Sequence, residues 1–406
     1  MENVKIVDKL NAEYSDTLTS EKFGKIIFYQ GSILEEAVKI ITETVPYGKV
    51  ATLFFSGEYE KFGKMFAGKL KQLGIKPISV IMPDNFSNTV QQFSKLFTLP
   101  EDVRMVVAFD SRLMLATKYF SSIRNVPSVF CLNEFNDLSF LSPKLTVKNF
   151  DKIDVVNVSA NMHVILDEQA MVSADKAELF SEIQSKIVSL FDYRVYCKLH
   201  GKRYVKSAYD LLSDVINDTT SIFLNKVYEQ SLTLIQNRFL SELANIISDG
   251  NLWLCSAEYG VKRILGNLDG FNRINFLKIV LFLYELNFSG KFSHITEIPD
   301  YNLRAEKLAE FIQTDDQSFL KNFQSQIQVL NVAKEKITQV GSALYKEIKK
   351  INQSYNLIQN TYYALGGSGK QQKDLIFALI HSGDVSACVN GMSLLRESGI
   401  LEYVQV

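Results

Sequence analysis

Histidine and cysteine are the side chains that most often hold metals or perform nucleophilic and redox chemistry, and this chain carries four of each. His163, His200, His294 and His381 stand far apart, and each of Cys131, Cys197, Cys255 and Cys388 is more than fifty residues from the next. No CxxC pair and no Cys/His spacing suited to zinc occurs. The cysteines are therefore expected to be scattered, reduced, mostly buried thiols. Residues 364–371, Ala-Leu-Gly-Gly-Ser-Gly-Lys-Gln, imitate a phosphate-binding loop. Gln371, however, stands where a Ser or Thr would hold magnesium, and no strand precedes the glycines, so the segment reads as a break between helices. Lys334, Lys336, Lys346, Lys349 and Lys350, interspersed with apolar residues, read as a solvated helix face. Tyr259 and Arg263 are four apart on one helix face, a spacing at which such pairs stack on a surface.

The elements that must position these residues follow from length and pattern. A chain of 406 residues exceeds what one hydrophobic core usually holds, so two domains are expected. With 47% hydrophobic and 22% charged residues the composition is that of a folded protein. Lys and Arg number 44 against 45 Asp and Glu, which leaves no global field for nucleic acid or an anionic membrane. The first residues, Met-Glu-Asn-Val-Lys-Ile, lack a basic region followed by an apolar stretch, and a cytoplasmic home is expected. The most apolar stretch, 276–288, contains Lys278 and Glu285 and is too short to cross a bilayer.

From residue 24 short apolar runs alternate with amphipathic ones. Strands are expected over 25–29, 49–55, 77–82, 103–109 and 128–131, and helices over 33–44, 59–73, 88–97 and 113–123. Strands apolar throughout, separated by helices, imply a parallel sheet covered on both faces. Right-handed crossovers then give a doubly wound, Rossmann-like domain. Residues 154–158 and 164–166 read as its last strands. Beyond 174 the period is helical over 176–199, 208–247, 257–265, 275–286, 303–312, 319–363, 371–380 and 385–398. The expected architecture is an α/β domain over 1–172 and an all-α domain over 173–406.

Three stretches carry a resemblance. Residues 181–194, Ser-Glu-Ile-Gln-Ser-Lys-Ile-Val-Ser-Leu-Phe-Asp-Tyr-Arg, are similar to a Gly-Asp-Leu-x-Ser-Lys-x-x-Ala-x-x-Asp-Trp-Arg pattern, with Ser185, Lys186, Asp192 and Arg194 matched and Tyr193 in place of Trp. Residues 106–143 are similar to a strand, a glycine-rich turn, a helix ending in Thr117-Lys118-Tyr119, a strand after Pro127, and a loop with Asp137 and Ser142. Residues 257–263, Ala-Glu-Tyr-Gly-Val-Lys-Arg, are similar to a Ser-Glu-His-x-x-Ser-His segment in which Glu258 is retained. Together these resemble the dehydroquinate synthase-like group, which includes iron-containing alcohol dehydrogenases and glycerol dehydrogenases, and most of all glycerol-1-phosphate dehydrogenase. The resemblance implies NAD(P), a divalent metal and reduction of a glycerone-type phosphate.

The departures fall where that chemistry belongs. The glycine-rich turn, which lets N–H groups at a helix start approach a pyrophosphate, here reads Ala108-Phe109-Asp110-Ser111. Phe109 is expected to add bulk there and Asp110 a like charge costing about 4 kcal/mol at ~4 Å, so Asp110 and Ser111 mark a turn that does not bind the cofactor. The resemblance places metal ligands at Glu182 and Tyr259, and a second His within 267–278, which has none. Arg263 stands where a further His is expected and could neutralise Glu182. No cofactor is expected, unless the family activity persists with NAD(P) and a divalent metal. Asp137, Lys186 and Arg263 remain the cleft candidates. A non-catalytic binding role is the favoured expectation. The alternatives are an active NAD(P)H-dependent oxidoreductase, and a metal-free lyase or transferase using Asp137, Glu182 and Arg263. Homo-oligomerisation stays open.

Overall fold

The computed structural model describes residues 4–5, 26–83, 89–132, 139–142, 144–149, 152–158, 161–167, 176–224, 231–265, 280, 283–284, 301–311, 369–386 and 388–393. It falls into two compact units, Met1–Lys176 with Glu229–Ile246, and Ala177–Tyr228 with Ile247–Val406.

The first unit is built on β1 (Val4–Lys5), β2 (Ile26–Gly31), α1 (Ile33–Thr44) and β3 (Lys49–Phe55). Next comes α2 (56–72), in which Ser56–Glu58 and Lys64–Gln72 flank a π-turn, Tyr59–Gly63. The series continues with β4 (Lys76–Met82), α3 (Thr89–Leu96), β5 (Val103–Ala108), α4 (Ser111–Arg124), β6 (Ser128–Leu132), β7 (Lys144–Asn149), β8 (Lys152–Asn157) and β9 (Met162–Asp167). Seven strands make one sheet in the order β1-β2-β9-β6-β5-β3-β4. All neighbours in it are parallel except β1 and β2. The continuous apolar runs of β3, β5 and β6 are buried along nearly their whole length, as a sheet covered on both faces requires. Ala37, Ile40 and Ile41 of α1 and Phe66 and Leu70 of α2 close one face over Val50, Phe54, Met105, Val107 and Val129.

Residues 154–158 and 164–166, read as the last strands, are both in strands but in different sheets. β8 pairs antiparallel with β7 in a separate two-stranded ribbon. The alternation of Leu145 and Val147 with polar neighbours in β7 suits a strand with one solvated face. β9 inserts between β2 and β6, so the last strand in chain order sits near the middle of the main sheet.

The second unit is helical: α5 (Lys176–Leu199), α6 (Lys206–Leu224), α8 (Asn251–Leu254), α9 (Ala257–Leu265), α10 (Tyr301–Phe311), α11 (Gly369–Ile380) and α12 (Ser382–Ser386). Helix α7 (Ser231–Ile247) falls almost entirely in the first unit. The stretch 208–247, readable as a helix or a helix pair, is two helices. Asp192 anchors the second unit. Its carboxylate is fully buried, with Oδ1 accepting from Tyr284 Oη at 2.6 Å and from the Gly391 N–H at 2.9 Å, and Oδ2 from the Ala257 N–H at 2.8 Å. Burial pushes its carboxyl up from 3.8 to about 7, with those three donors opposing. Where α9 meets α12 the backbones almost touch, because a Cβ added to Gly260 would lie 2.1 Å from the Ser382 carbonyl oxygen. The expected helices 319–363 and most of 275–286 and 385–398, with the lysines of 334–350, lie outside the described residues. Of the phosphate-loop mimic, residues 369–371 begin α11. Among the described residues no helix is long and apolar enough to cross a membrane.

Candidate functional site

The parallel sheet has one place where its connections diverge. From β3 the chain passes through α2 to β4 on one side, whereas β5 leads through α4 to β6 on the other. The carboxyl ends of β3 and β5 therefore frame a crevice, the usual ligand position in an open parallel sheet. The last paired couple between them is Leu53 and Ala108, so Phe55 and Asp110 lie just past the pairing, at the strand ends.

Asp110 starts α4 as its N-cap, in extended backbone at φ −128° and ψ 137°. Its Oδ1 accepts the Arg112 N–H at 2.8 Å, meeting one of the donors a helix start leaves open. The Arg112 side chain folds back onto the same carboxylate, with Nε to Oδ1 at 2.9 Å and Nη2 to Oδ2 at 2.6 Å, a bidentate charge-assisted grip. The Arg112 guanidinium also lies 4.0 Å from the centre of the Phe55 ring, so a flat cation is stacked at the strand end. Glu58 faces this arrangement from the first turn of α2, where its Oε2 accepts the Phe55 N–H at 3.3 Å. Its carboxyl is pushed up from 4.5 to about 7, first by burial, then by the Asp110 charge, with the Phe55 N–H and Arg112 opposing. A carboxyl that exchanges its proton near neutrality beside a second, cation-held carboxylate can accept hydroxyls, donate a hydrogen bond, or move a proton.

This geometry corrects the steric part of the turn's reading. The Phe109 ring is buried and stacks on Phe54 at 4.8 Å, with Phe62 and Phe66 packed edge-on at 5.3 and 4.9 Å. Its bulk therefore fills the core and not the crevice. The like-charge cost is also reduced, since Arg112 holds the Asp110 carboxylate. Ser111 is buried as the first residue of α4.

Glu58 was not legible as a site residue. Its only sequence signal is an acid three residues past the end of an apolar strand, in Phe55-Ser56-Gly57-Glu58, a spacing that also fits ordinary helix capping.

The remaining candidates lie in different surroundings. Lys118 is fully buried, and its Nζ donates to the Ser142 carbonyl at 2.8 Å, so two positions of the matched 106–143 stretch do meet. Burial alone lowers its amine from 10.5 to about 7. Asp137 lies outside the described residues. In the second unit Lys186 is buried and Glu182 half-buried on α5. The Ser185 hydroxyl donates to the Glu182 carbonyl at 2.9 Å. Arg194 stacks over Tyr209 and Tyr204 at 5.4 and 5.9 Å.

Of the implied metal positions, 267–278 lies outside the described residues, and the side chains of Tyr259 and Arg263 are engaged elsewhere. Tyr259 packs edge-on against Trp253 at 5.7 Å. Arg263 is exposed, and its Nη1 donates to the Val385 carbonyl at 2.9 Å, so its guanidinium is engaged by backbone. The buried Glu258 carboxylate is already paired with Lys262 at 2.9 Å. His163 sits on β9 in the first unit against Tyr29 at 3.1 Å, His200 receives the Val389 N–H at 3.5 Å, and His381 pairs with Asp384 at 2.8 Å. Among the described residues no three His, Cys, Asp or Glu side chains are grouped as metal ligands.

No protein-family model and no curated protein matches the chain. Solved structures do. Its structural neighbours are dehydrogenases. Glycerol dehydrogenase from Schizosaccharomyces pombe is 11% identical over 81% of this chain and 91% of its own, with a TM-score of 0.46. Iron-containing alcohol dehydrogenase from Thermococcus thioreducens is 12% identical over 93% and 98%, also at 0.46. NADH-dependent butanol dehydrogenase A from Thermotoga maritima is 12% identical over 92% and 96%, at 0.43. At such identities and TM-scores the likeness assigns no ligand and no reaction to this chain.

Proposed function

We propose that this chain is a non-catalytic binding protein on a dehydrogenase-like body, a divergent relative of glycerol-1-phosphate dehydrogenase. Its ligand is a small hydroxyl-bearing molecule seated at the carboxyl ends of β3 and β5. The observation that carries this reading is the Asp110 carboxylate at the start of α4, where it takes an N–H that a phosphate would need and brings Arg112 with it. A hydroxylated ligand meets acceptors at Asp110 and Glu58 and a stacked cation at Arg112, whereas a pyrophosphate meets two carboxyl groups. The packing of Tyr259 on Trp253 and of Arg263 on Val385 supports the same reading, since neither leaves a cation ligand in place.

The test combines elemental analysis with titration. The purified full chain is expected to carry no stoichiometric transition metal and to show no saturable NADH or NADPH binding at about millimolar concentration, the range of weak affinity. A panel of polyols, sugars and nucleosides is expected to contain a molecule that raises the Tm of the wild type but not of Glu58→Gln. Stoichiometric zinc, nickel or iron together with tight NADH binding would establish the oxidoreductase reading instead. One observation favours a second reading, metal-free acid–base chemistry: the proton Glu58 exchanges near neutrality beside Asp110. Turnover of a panel member that follows a pH profile with an inflection near 7 and is lost in Glu58→Gln would select it.

A further inference from the structure

Cysteines spread thinly along the sequence are brought together by the fold. The sulfurs of Cys255 and Cys388, 133 residues apart in sequence, lie 3.8 Å from each other, and both residues are buried. Neither is inside a long helix. Cys255 occupies the junction between α8 and α9, and Cys388 follows α12 in non-helical backbone, its N–H bonded to the Gly383 carbonyl at 3.3 Å. The two backbone segments are pinned by the same carboxylate: Asp192 receives the Ala257 N–H, two residues past Cys255, and the Gly391 N–H, three residues past Cys388. One buried acid thus holds two thiols face to face.

We propose that Cys255 and Cys388 are a redox pair that a peroxide closes into an intramolecular disulfide. A bond of about 2.05 Å requires the sulfurs to close by about 1.8 Å, within reach of side-chain rotation at two positions outside regular helix. Cys388 is the residue with residual exposure, 7% against 0% for Cys255, so its sulfur attacks the peroxide oxygen. The O–O bond breaks, one water leaves, and Cys388 becomes a sulfenic acid. The Cys255 sulfur then displaces the hydroxyl group from Cys388 as a second water. Two thiols and one peroxide give one disulfide and two waters, with two electrons passing from sulfur to the peroxide. Burial holds the Cys255 thiol far above its usual range, so closure is slow and answers sustained oxidant. The product is a covalent tie across the junction that Asp192 otherwise holds by hydrogen bonds alone.

The experiment uses the full chain. Protein incubated with hydrogen peroxide is alkylated, digested without reductant and mapped by mass spectrometry. The expected product is a peptide pair joined through Cys255 and Cys388, two hydrogens lighter than the sum of its parts and reversed by dithiothreitol, with Cys131 and Cys197 alkylated. The Tm of the oxidised wild type is expected to rise by roughly 5 °C, a rise absent in Cys388→Ser. The mapping needs no variant, so a misfolded serine mutant does not affect it. Separate alkylation of both residues after prolonged peroxide would overturn the proposal. So would over-oxidation of Cys388 to the sulfinic acid without a cross-link, or pairing of either residue with Cys197, the third buried cysteine of the helical unit.

Discussion

Replacing Asp192 by Asn isolates the competition between desolvation and hydrogen bonding at the centre of the helical unit. Three donors converge on a carboxyl that is wholly out of water. Burial, which favours the neutral form, outweighs the donors, which favour the charged one, so the carboxyl rises from 3.8 to about 7. A raised acid binds its proton more tightly folded than unfolded, so its stabilisation is complete below pH 3.8 and is lost as pH climbs through 7. Each tenfold change in proton affinity corresponds to about 1.4 kcal/mol, which makes the loss ~4 kcal/mol between pH 4 and pH 7. The amide of the Asp192→Asn variant cannot titrate. Its NH2 group can face the Ala257 N–H where an acceptor is needed, a cost of about 1–3 kcal/mol that does not vary with pH. The stability of the wild type minus that of Asp192→Asn should therefore fall by ~4 kcal/mol as pH rises through this window. Urea unfolding at a series of pH values, followed through the fluorescence of Trp253, reads this unit specifically, because Trp253 is the sole tryptophan and lies in α8. A difference that stays level, or grows with pH, would refute the reasoning by showing that the three donors outweigh burial.

Two further substitutions probe packing and a second buried charge. Gly260→Ala should cost about 3 kcal/mol or prevent folding, because its Cβ would meet the Ser382 backbone at 2.1 Å. Gly68→Ala in α2, where nothing lies within 4 Å, should add about 0.5–1 kcal/mol; equal effects in thermal unfolding would contradict the close approach of α9 to α12. Lys118→Met tests the buried amine. A folded-state value depressed from 10.5 to about 7 means that wild-type stability is present above pH 10.5 and lost as pH falls through 7, so the Met variant should gain relative to wild type over that descent. A relative stability independent of pH between 10 and 6.5 would show that Lys118 is hydrated in the folded state.

The legible parts of this molecule are those in which local pattern and tertiary environment agree. The runs at 49–55, 103–108 and 128–132 are apolar at nearly every position because both faces of the sheet are covered, and such runs read as buried parallel strands with no knowledge of their neighbours. Strand order is another matter. β9 reaches the middle of the sheet by pairing β2 on one side and β6 on the other, and nothing in Met162–Asp167 specifies either partner. The thiols fail for the same reason. Spacing finds cysteines that meet within one element or one hairpin, whereas Cys255 and Cys388 meet because Asp192 gathers two distant stretches of backbone. Asp192 itself was visible only as a position matched at the right spacing. Its three-fold grip on Ala257, Tyr284 and Gly391 explains how such a position can serve the architecture without touching a ligand.

Phe109 shows how much of the misjudged turn could have been recovered from period alone. Side chains along a strand alternate between faces, so Phe109 belongs with Met105 and Val107, and all three do lie in the core with Phe54 and Phe66. The same alternation sends Asp110 to the opposite side, toward the crevice. What alternation could not give is the fold-back of Arg112, because a helix start followed by Arg at its second position is compatible with a side chain in water. The case against a pyrophosphate at this turn therefore rests on an occupied N–H and a carboxylate, and the bulk of the ring contributes nothing to it. Burial first, and then the Asp110 charge, raises the neighbouring Glu58 carboxyl to about 7, against the opposing pull of Arg112. On the proposed reading, the carboxylate that takes the N–H at the start of α4 is also an acceptor for a ligand hydroxyl.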